Sequence, residues 1–378
     1  MTTEAKTIVR WILAALAFLA VVGLAGCSMS LHLNPFASKS PPTTQPVAAA
    51  PAINPFGQQI AEENAASSTA QGSNLQEQTF AAVGNDSDVC VDPTGKWLAF
   101  ASTRNSERAH IFLQRVNASS VVQLTDGSSD EAFPAFSPDG KTIAFCSNRS
   151  GAWNIYTMDV DGQNLMQVTN GSEQDVHPSF SPDGRQMVYS RLNPRSQRWE
   201  LWVDSLDTNQ KRMIGYGLFP NWSPDKQVNR IAFQRARERG SHLFELWTLE
   251  LLNGDARRLT QVAVSSTDAI LTPSWSPDGK KLAFATVSKP DAPVKDRDIW
   301  MVDADGGHER RLTQGEAVNF QPFWAADNRI YFVSNRDGKD AIWSIDAGWD
   351  TAAATADAGK PAARPTVTSV DTGPVAPH

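Results

Sequence analysis

Short apolar runs alternate with polar turns along most of this chain, and the alternation itself repeats about every 45 residues. Each unit carries an apolar triplet: Leu98-Ala-Phe100, Ile143-Ala-Phe145, Met187-Val-Tyr189, Ile231-Ala-Phe233, Leu282-Ala-Phe284 and Ile330-Tyr-Phe332. An aliphatic–aromatic pair follows each triplet: Ile111-Phe112, Ile155-Tyr156, Leu201-Trp202, Leu246-Trp247, Ile299-Trp300 and Ile342-Trp343. Both run types are too short for helices. They are rich in β-branched and aromatic residues and are bounded by Gly, Pro, Asn and Asp, which predicts strands.

The turns are as regular as the strands. Phe133-Pro-Ala-Phe-Ser-Pro-Asp-Gly140 returns as His177-Pro-Ser-Phe-Ser-Pro-Asp-Gly184, Phe219-Pro-Asn-Trp-Ser-Pro-Asp225 and Thr272-Pro-Ser-Trp-Ser-Pro-Asp-Gly279. Weaker copies stand at Val91-Asp-Pro-Thr-Gly95 and Gln321-Pro-Phe-Trp-Ala-Ala-Asp327. A residue before Pro avoids the helical region, so the start of each copy is extended. In Ser-Pro-Asp-Gly, Pro presets φ, Asp bonds its own backbone and Gly takes the positive φ that closes a hairpin. A fourth strand ends several units: Val122-Gln-Leu-Thr125, Met166-Gln-Val-Thr169, Arg258-Leu-Thr260 and Arg311-Leu-Thr313. Four antiparallel strands per unit and six units predict an all-β, six-bladed β-propeller.

The two ends of the repeat complement each other. The sixth unit has no fourth strand after Trp343-Ser-Ile-Asp346, while Leu75-Gln-Glu-Gln-Thr-Phe80 precedes the first unit as a strand without a blade. The expectation is that this N-terminal strand completes the last blade and hides its open edge.

Outside residues 74–348 the pattern changes. In residues 1–27, Lys6 and Arg10 precede an apolar run from Trp11 to Gly26 that ends at Leu24-Ala-Gly-Cys27. The run reads as a signal-peptide core, with Cys27 as its lipidation site. Residues 28–73 are rich in Pro, Ala, Ser, Thr, Asn and Gln and read as a disordered tether. Residues 349–378 read as a disordered tail.

Composition narrows the chemistry. A net charge of -7, with no basic stripe, argues against nucleic acid as a partner. Twelve Trp and seventeen Phe supply apolar filling between blades. Beyond Cys27 only Cys90 and Cys146 remain; an exported chain could oxidise them to a pair, but they read better as buried thiols. There is no C-x-x-C and no clustered Cys/His spacing for zinc, and no cofactor is expected. G-x-S-x-G, H-E-x-x-H and P-loop patterns are missing. The Asp of each Ser-Pro-Asp-Gly recurs once per unit and serves the blade rather than an acid pair.

The most informative histidine is His177. It stands just before the repeat proline, at the start of a first strand, and first strands line a propeller channel. The equivalent positions are Phe133, Phe219, Thr272 and Gln321, with Val89 assigned in the first unit. Asp175, with Glu131, Asp130, Asp268 and Asn319, lies just upstream. Phe133, His177, Phe219, Thr272, Gln321 and Asp175 are the candidate partner-binding residues at the channel mouth.

From Leu75 to residue 348, the order Pro-x-aromatic-Ser-Pro-Asp-Gly, Ile-Ala-Phe, Asn-Arg-x-Gly, Ile-Trp, Asp-Gly, Arg-Leu-Thr resembles the TolB β-propeller repeat. That resemblance implies a bacterial periplasmic protein working with a peptidoglycan-associated lipoprotein and Tol proteins in outer-membrane maintenance. Leu24-Ala-Gly-Cys27 resembles the lipobox of bacterial lipoproteins, and Ser28 after it implies the outer membrane. Two features depart from TolB: the tether is too short for the α/β domain that precedes a TolB propeller, and Cys27 is expected to give the chain its own lipid. The leading expectation is a non-enzymatic, lipid-anchored scaffold that binds a protein or peptide at the channel mouth. The alternative is a metal-dependent, oligogalacturonate-lyase-like enzyme, for which only His177 and Gln321 fall at suitable rim positions.

Overall fold

The computed structural model describes residues 75–237, 243–252, 254–288 and 297–348. Cys27, the tether and the tail lie outside the described residues, as does His242. The last-blade partner is β1 (Gln76–Glu77). Blade 1 contains β2 (Asp86–Val91), β3 (Trp97–Ser102), β4 (His110–Arg115) and β5 (Val121–Gln123). Blade 2 contains β6 (Glu131–Phe136), β7 (Thr142–Ser147), β8 (Asn154–Asp159) and β9 (Met166–Gln167). Blade 3 contains β10 (Gln174–Phe180), β11 (Gln186–Asn193), β12 (Arg198–Ser205) and β13 (Lys211–Tyr216). Blade 4 contains β14 (Leu218–Trp222), β15 (Arg230–Ala236), β16 (Phe244–Leu252) and β17 (Asp255–Ala263). Blade 5 contains β18 (Asp268–Trp275), β19 (Lys281–Ser288), β20 (Ile299–Asp303) and β21 (Arg310–Arg311). Blade 6 contains β22 (Asn319–Trp324), β23 (Arg329–Ser334) and β24 (Ala341–Asp346), with β1 as its outer strand.

The closure follows the sequence expectation. β1 pairs antiparallel with β24, Gln76 opposite Ser344 and Glu77 opposite Trp343. The reason is visible two residues further on. In blades 1, 2 and 5 the fourth-strand Thr (Thr125, Thr169, Thr313) accepts the first amide of the third-strand pair through its hydroxyl. Thr79 does the same for Ile342, at 2.9 Å. Gln78 then ties the closure to blade 1, because its backbone carbonyl accepts from Gln114 and its side-chain oxygen accepts from Asn117.

The apolar triplets fill the spaces between blades. Leu98, Phe100, Ile143, Phe145, Leu282, Phe284, Ile330 and Phe332 are all fully buried, and each contributes about 1.5–3 kcal/mol by transfer from water. Above these rings sit the repeat arginines. Arg104 lies over Phe100 and Phe112, Arg149 over Phe145 and Tyr156, and Arg191 over Tyr189 and Trp202. Each reaches a buried carboxylate at the start of an inner strand: Asp86, Glu131 and Asp175 respectively.

The Ser-Pro-Asp-Gly turns are self-contained. Ser137 donates to Asp139 at 2.6 Å, and the Lys141 amide also donates to that carboxylate. The Gly140 amide closes the turn onto the Ser137 carbonyl at 2.9 Å. The serine hydroxyl holds the Asp139 carboxyl below its ordinary range, and Asp183 is held down by Ser181 in the same way. These aspartates are therefore consumed by the turn. Successive turns also touch: Gly140 abuts Pro93, Gly184 abuts Pro138, Gly279 abuts Asp225 and Ser223, and Gly95 abuts Asp327.

Candidate functional site: a ring of bulge residues around the channel

Each inner strand touches the inner strands of its two neighbours, and β22 returns to β2, so the six enclose a central channel. Every inner strand also breaks its pairing with the second strand at one place. The shifts fall between Ser87 and Cys90, Ala132 and Ala135, Val176 and Ser179, Leu218 and Asn221, Leu271 and Ser274, and Phe320 and Phe323. The inner strand therefore carries an extra residue there, which is a β-bulge. In five blades the second bulge residue is the repeat proline, which has no amide hydrogen to leave unpaired.

The first bulge residue has a left-handed backbone in all six blades. These are Asp88 (φ 54°), Phe133 (54°), His177 (58°), Phe219 (51°), Thr272 (52°) and Gln321 (51°). Left-handed backbone at a non-glycine residue costs on the order of 1–3 kcal/mol and persists only where its surroundings enforce it. Five of these residues are the ones that the repeat pointed to. The sixth corrects the first-unit assignment. Asp88, not Val89, is the ring member, and Val89 takes the place of the repeat proline and is buried in the core. The weak first unit lacks that proline, so alignment from the aromatic side slips by one residue. Counting back four positions from Asp92, the counterpart of Ser137, finds Asp88.

The six side chains divide the ring into two arcs. Blades 2 to 4 give an aromatic arc, in which the His177 ring lies 4.0 Å from Phe133 and 3.7 Å from Phe219, centroid to centroid. The two phenyl rings stand edge to face at 6.2 Å. Among the described residues, neither His177 ring nitrogen has a hydrogen-bond partner. Burial pulls the imidazole down to about 3, so it is neutral. Its backbone is engaged, with the amide hydrogen-bonded to Cys146.

Blades 5, 6 and 1 give a polar arc. Gln321 donates to the Asp88 carboxylate and accepts from the Asp88 amide at 3.1 Å. Ser87 and the Phe133 amide also donate to that carboxylate. Burial nevertheless raises Asp88 to about 6, because these partners are all neutral donors. Thr272 is held through its amide by Gln234 at 3.0 Å, and its hydroxyl has no partner among the described residues.

The residues just upstream are already engaged. Asp175 is buried and takes two bonds from Arg191, each 2.7 Å. Glu131 binds His110 and Arg149, Asp130 binds Arg108, Asp268 binds Ser288, and Asn319 binds Arg336. Cys90 and Cys146 are buried free thiols, and burial raises both. Among the described residues, no group of three or more His, Cys, Asp and Glu is placed to hold a metal.

Comparison with known proteins agrees with this architecture. The family model described as the TolB beta propeller domain matches residues 44–228, 152–287 and 218–372. Dipeptidyl-peptidase 5 of Porphyromonas gingivalis is 26% identical over 284 residues, 72% of this chain but 41% of that protein. The Tol-Pal system protein TolB of Hahella chejuensis is 34% identical over 90 residues, 24% of this chain and 19% of that protein. The chain thus spans less than half the length of these curated relatives. Among solved structures, a putative TolB from Agrobacterium tumefaciens matches with a TM-score of 0.51 at 20% identity, covering 69% of this chain and 90% of that one. Oligogalacturonate lyase in complex with manganese matches with a TM-score of 0.53 at 15% identity, covering 74% and 95%. Similarity at this level extends to the fold and no further.

Proposed function

The chain belongs to the TolB beta propeller domain family, and on that premise we propose that it is a non-catalytic binding scaffold of the bacterial cell envelope. In this reading lipid at Cys27 anchors it, with the outer membrane as the favoured side, and a segment of an envelope protein enters the channel ring. A peptidoglycan-associated lipoprotein or a Tol protein is the partner type that the family suggests.

One observation carries the proposal. The ring repeats a strained backbone six times but fills it with Asp, Phe, His, Phe, Thr and Gln. A bulge that only bent the strand would not need that variety. Aromatic rings beside buried polar groups are the composition of an interaction hot spot. Asp175, locked by Arg191, braces the strand that carries His177.

The test is a pull-down from detergent-solubilised envelopes, with the full lipidated chain as bait. The comparison bait carries Phe133→Ala, His177→Ala and Phe219→Ala, and circular dichroism checks that it still folds. Loss of an enriched envelope protein from the variant supports the reading. Equal recovery by both baits puts the contact elsewhere. A stoichiometric divalent ion with turnover of an oligogalacturonate, and no partner, replaces the scaffold by a sugar-directed enzyme.

A further inference from the structure

The channel mouth carries a second feature, on residues other than the ring. We propose that its sector between blades 5 and 6 is a receptor for an acidic peptide segment, whose side-chain carboxylates are taken by Arg297 and Arg336. The sector shares with the proposed function only the premise that a partner docks at this mouth.

Blades 1 to 3 show what this place in the blade holds. Two residues before the ring member, each inner strand sets an acid that an arginine grips: Asp86 with Arg104 at 2.8 Å, Glu131 with Arg149 at 3.2 Å, and Asp175 with Arg191 at 2.7 Å. In blade 6 that position, two before Gln321, is Asn319. The arginine is kept. Arg336 donates to the Asn319 side-chain oxygen at 2.9 Å and to Ser334 at 3.0 Å, and it lies over Phe332 and Trp343 as its counterparts lie over their own aromatics. The carboxamide supplies an acceptor but no charge. The remaining nitrogen of Arg336, Nη1, has no partner among the described residues and is not buried.

Arg297 flanks the same Asn319. Its carbonyl accepts from the Asn319 backbone amide at 2.9 Å and from the side-chain amide at 3.3 Å. Its guanidinium has no partner among the described residues: Nε is buried, while Nη1 and Nη2 are open. Burial lowers it from its ordinary value, with no acid beside it to raise it. The equivalent residues Ala109, Trp153, Trp199 and Asp340 give their carbonyls to the same inner-strand bond, so that bond does not call for an arginine.

The nearest acids do not cancel these cations. Asp298 is taken by Arg311 and Thr313, and Asp337 is exposed. Burial lowers Arg336 in spite of both. Both guanidinia stay charged at neutral pH, and a partly desolvated charge without a counter-ion is costly. A carboxylate matches the two open η nitrogens of Arg297. A cation is repelled, and an apolar side chain leaves both charges as they are. Against phosphate stands the precedent of blades 1 to 3, where the same clamp closes on a carboxylate. Two arginines on neighbouring blades suit two acidic side chains on one segment.

The experiment uses the full-length chain in detergent and isothermal titration at pH 7.5. The probes are acetylated, amidated Gly-X-Gly-X-Gly with X as glutamate, glutamine or lysine, acetylated pentaglycine with a free C-terminus, and inorganic phosphate. The glutamate peptide is expected to bind at least about tenfold tighter than the glutamine peptide, and to lose most of that preference at about 0.5 M salt. Arg297→Gln removes a side chain with no bond among the described residues, so its melting temperature is expected to stay unchanged while glutamate affinity falls at least about threefold. Arg297→Gln with Arg336→Gln is expected to abolish the preference.

Tighter binding of phosphate or of the lysine peptide overturns the proposal. So does equal affinity for the free C-terminus, or a glutamate preference that survives the double variant. If no probe binds and the bait with Phe133→Ala, His177→Ala and Phe219→Ala still loses its envelope protein, the acidic-segment site falls and the ring reading stands. If the double variant loses the glutamate preference while that triple-alanine bait keeps its partner, the acidic-segment site stands and the ring reading falls.

Discussion

Two rings of this propeller repeat with the same period and teach opposite lessons. In blades 2, 3 and 5 the Ser-Pro-Asp-Gly turns repeat both their backbone and their chemistry. Ser137, Ser181 and Ser276 each donate to the aspartate two residues on, at 2.6 Å in every case. The bulge ring repeats its backbone alone, with φ between 51° and 58° in all six blades, while its side chains change from blade to blade. Where geometry and chemistry repeat together, the residues build the fold. Where geometry repeats and chemistry does not, the fold presents positions that function can fill.

The strongest way to break this comparison is to disturb the turn ring. A Cβ on Gly279 would lie 2.8 Å from the Asp225 Cβ and 2.9 Å from the Ser223 hydroxyl, at a φ of +67°. The wall is the neighbouring blade's own turn, so it yields only if two blades separate. Gly279→Ala is expected to lower stability by roughly 2–4 kcal/mol in urea denaturation. A loss below about 0.5 kcal/mol would show that blades 4 and 5 slide freely and that the turns are not a structural ring.

The bulge ring is expected to respond in the other direction. Burial raises Asp88 from its ordinary value to about 6. The folded chain therefore binds this proton more tightly than the unfolded chain does. On that account stability falls as pH rises from about 4 through 6, and the loss is complete above it. Asp88→Asn is expected to stabilise the protein at pH 7.5 by up to about 3 kcal/mol and to have little effect at pH 4. His177 contributes the opposite slope. Its folded value near 3 lies below its ordinary one, so stability falls as pH drops below about 6.5. Melting curves across pH 4 to 8 for the two chains separate these contributions. A destabilising Asp88→Asn at pH 7.5 would mean that the carboxylate supports the fold and is not an uncompensated charge.

Much of this was legible before the fold was known, and the exceptions have physical causes. The blade count and strand types follow from the apolar triplets, because each triplet must bury itself between blades. The closure by residues 75–80 follows from a surplus strand and a missing one, and Thr79 supplies the same hydroxyl that Thr125, Thr169 and Thr313 supply elsewhere. Five ring members were legible because each precedes a repeat proline. Asp88 was not, because Val89 occupies the proline position, and only register from the turn finds it. The left-handed bulge itself leaves no composition signal, since Phe and Thr are poor candidates for positive φ. Asp175 stood among the candidate binding residues because its partner Arg191 lies 16 residues away on the next strand, out of sight of the local sequence.

The smallest expected effect is the sharpest test of the difference between the rings. Thr272 is β-branched, sits at φ 52° and buries a hydroxyl without a partner among the described residues. Glycine removes the strain and the orphan hydroxyl but adds freedom to the unfolded chain. The first two gains outweigh the last, so Thr272→Gly is expected to stabilise the fold by about 1 kcal/mol, read from the urea midpoint. In the turn ring glycine already stands at the left-handed position in four blades, as Gly95, Gly140, Gly184 and Gly279, so there the same exchange has nothing to relieve. A threonine that the fold would be better without is retained for something other than the fold. If Thr272→Gly destabilises instead, the hydroxyl or the methyl group is part of the blade 4–5 packing, and the polar arc loses one of its three members as a binding surface.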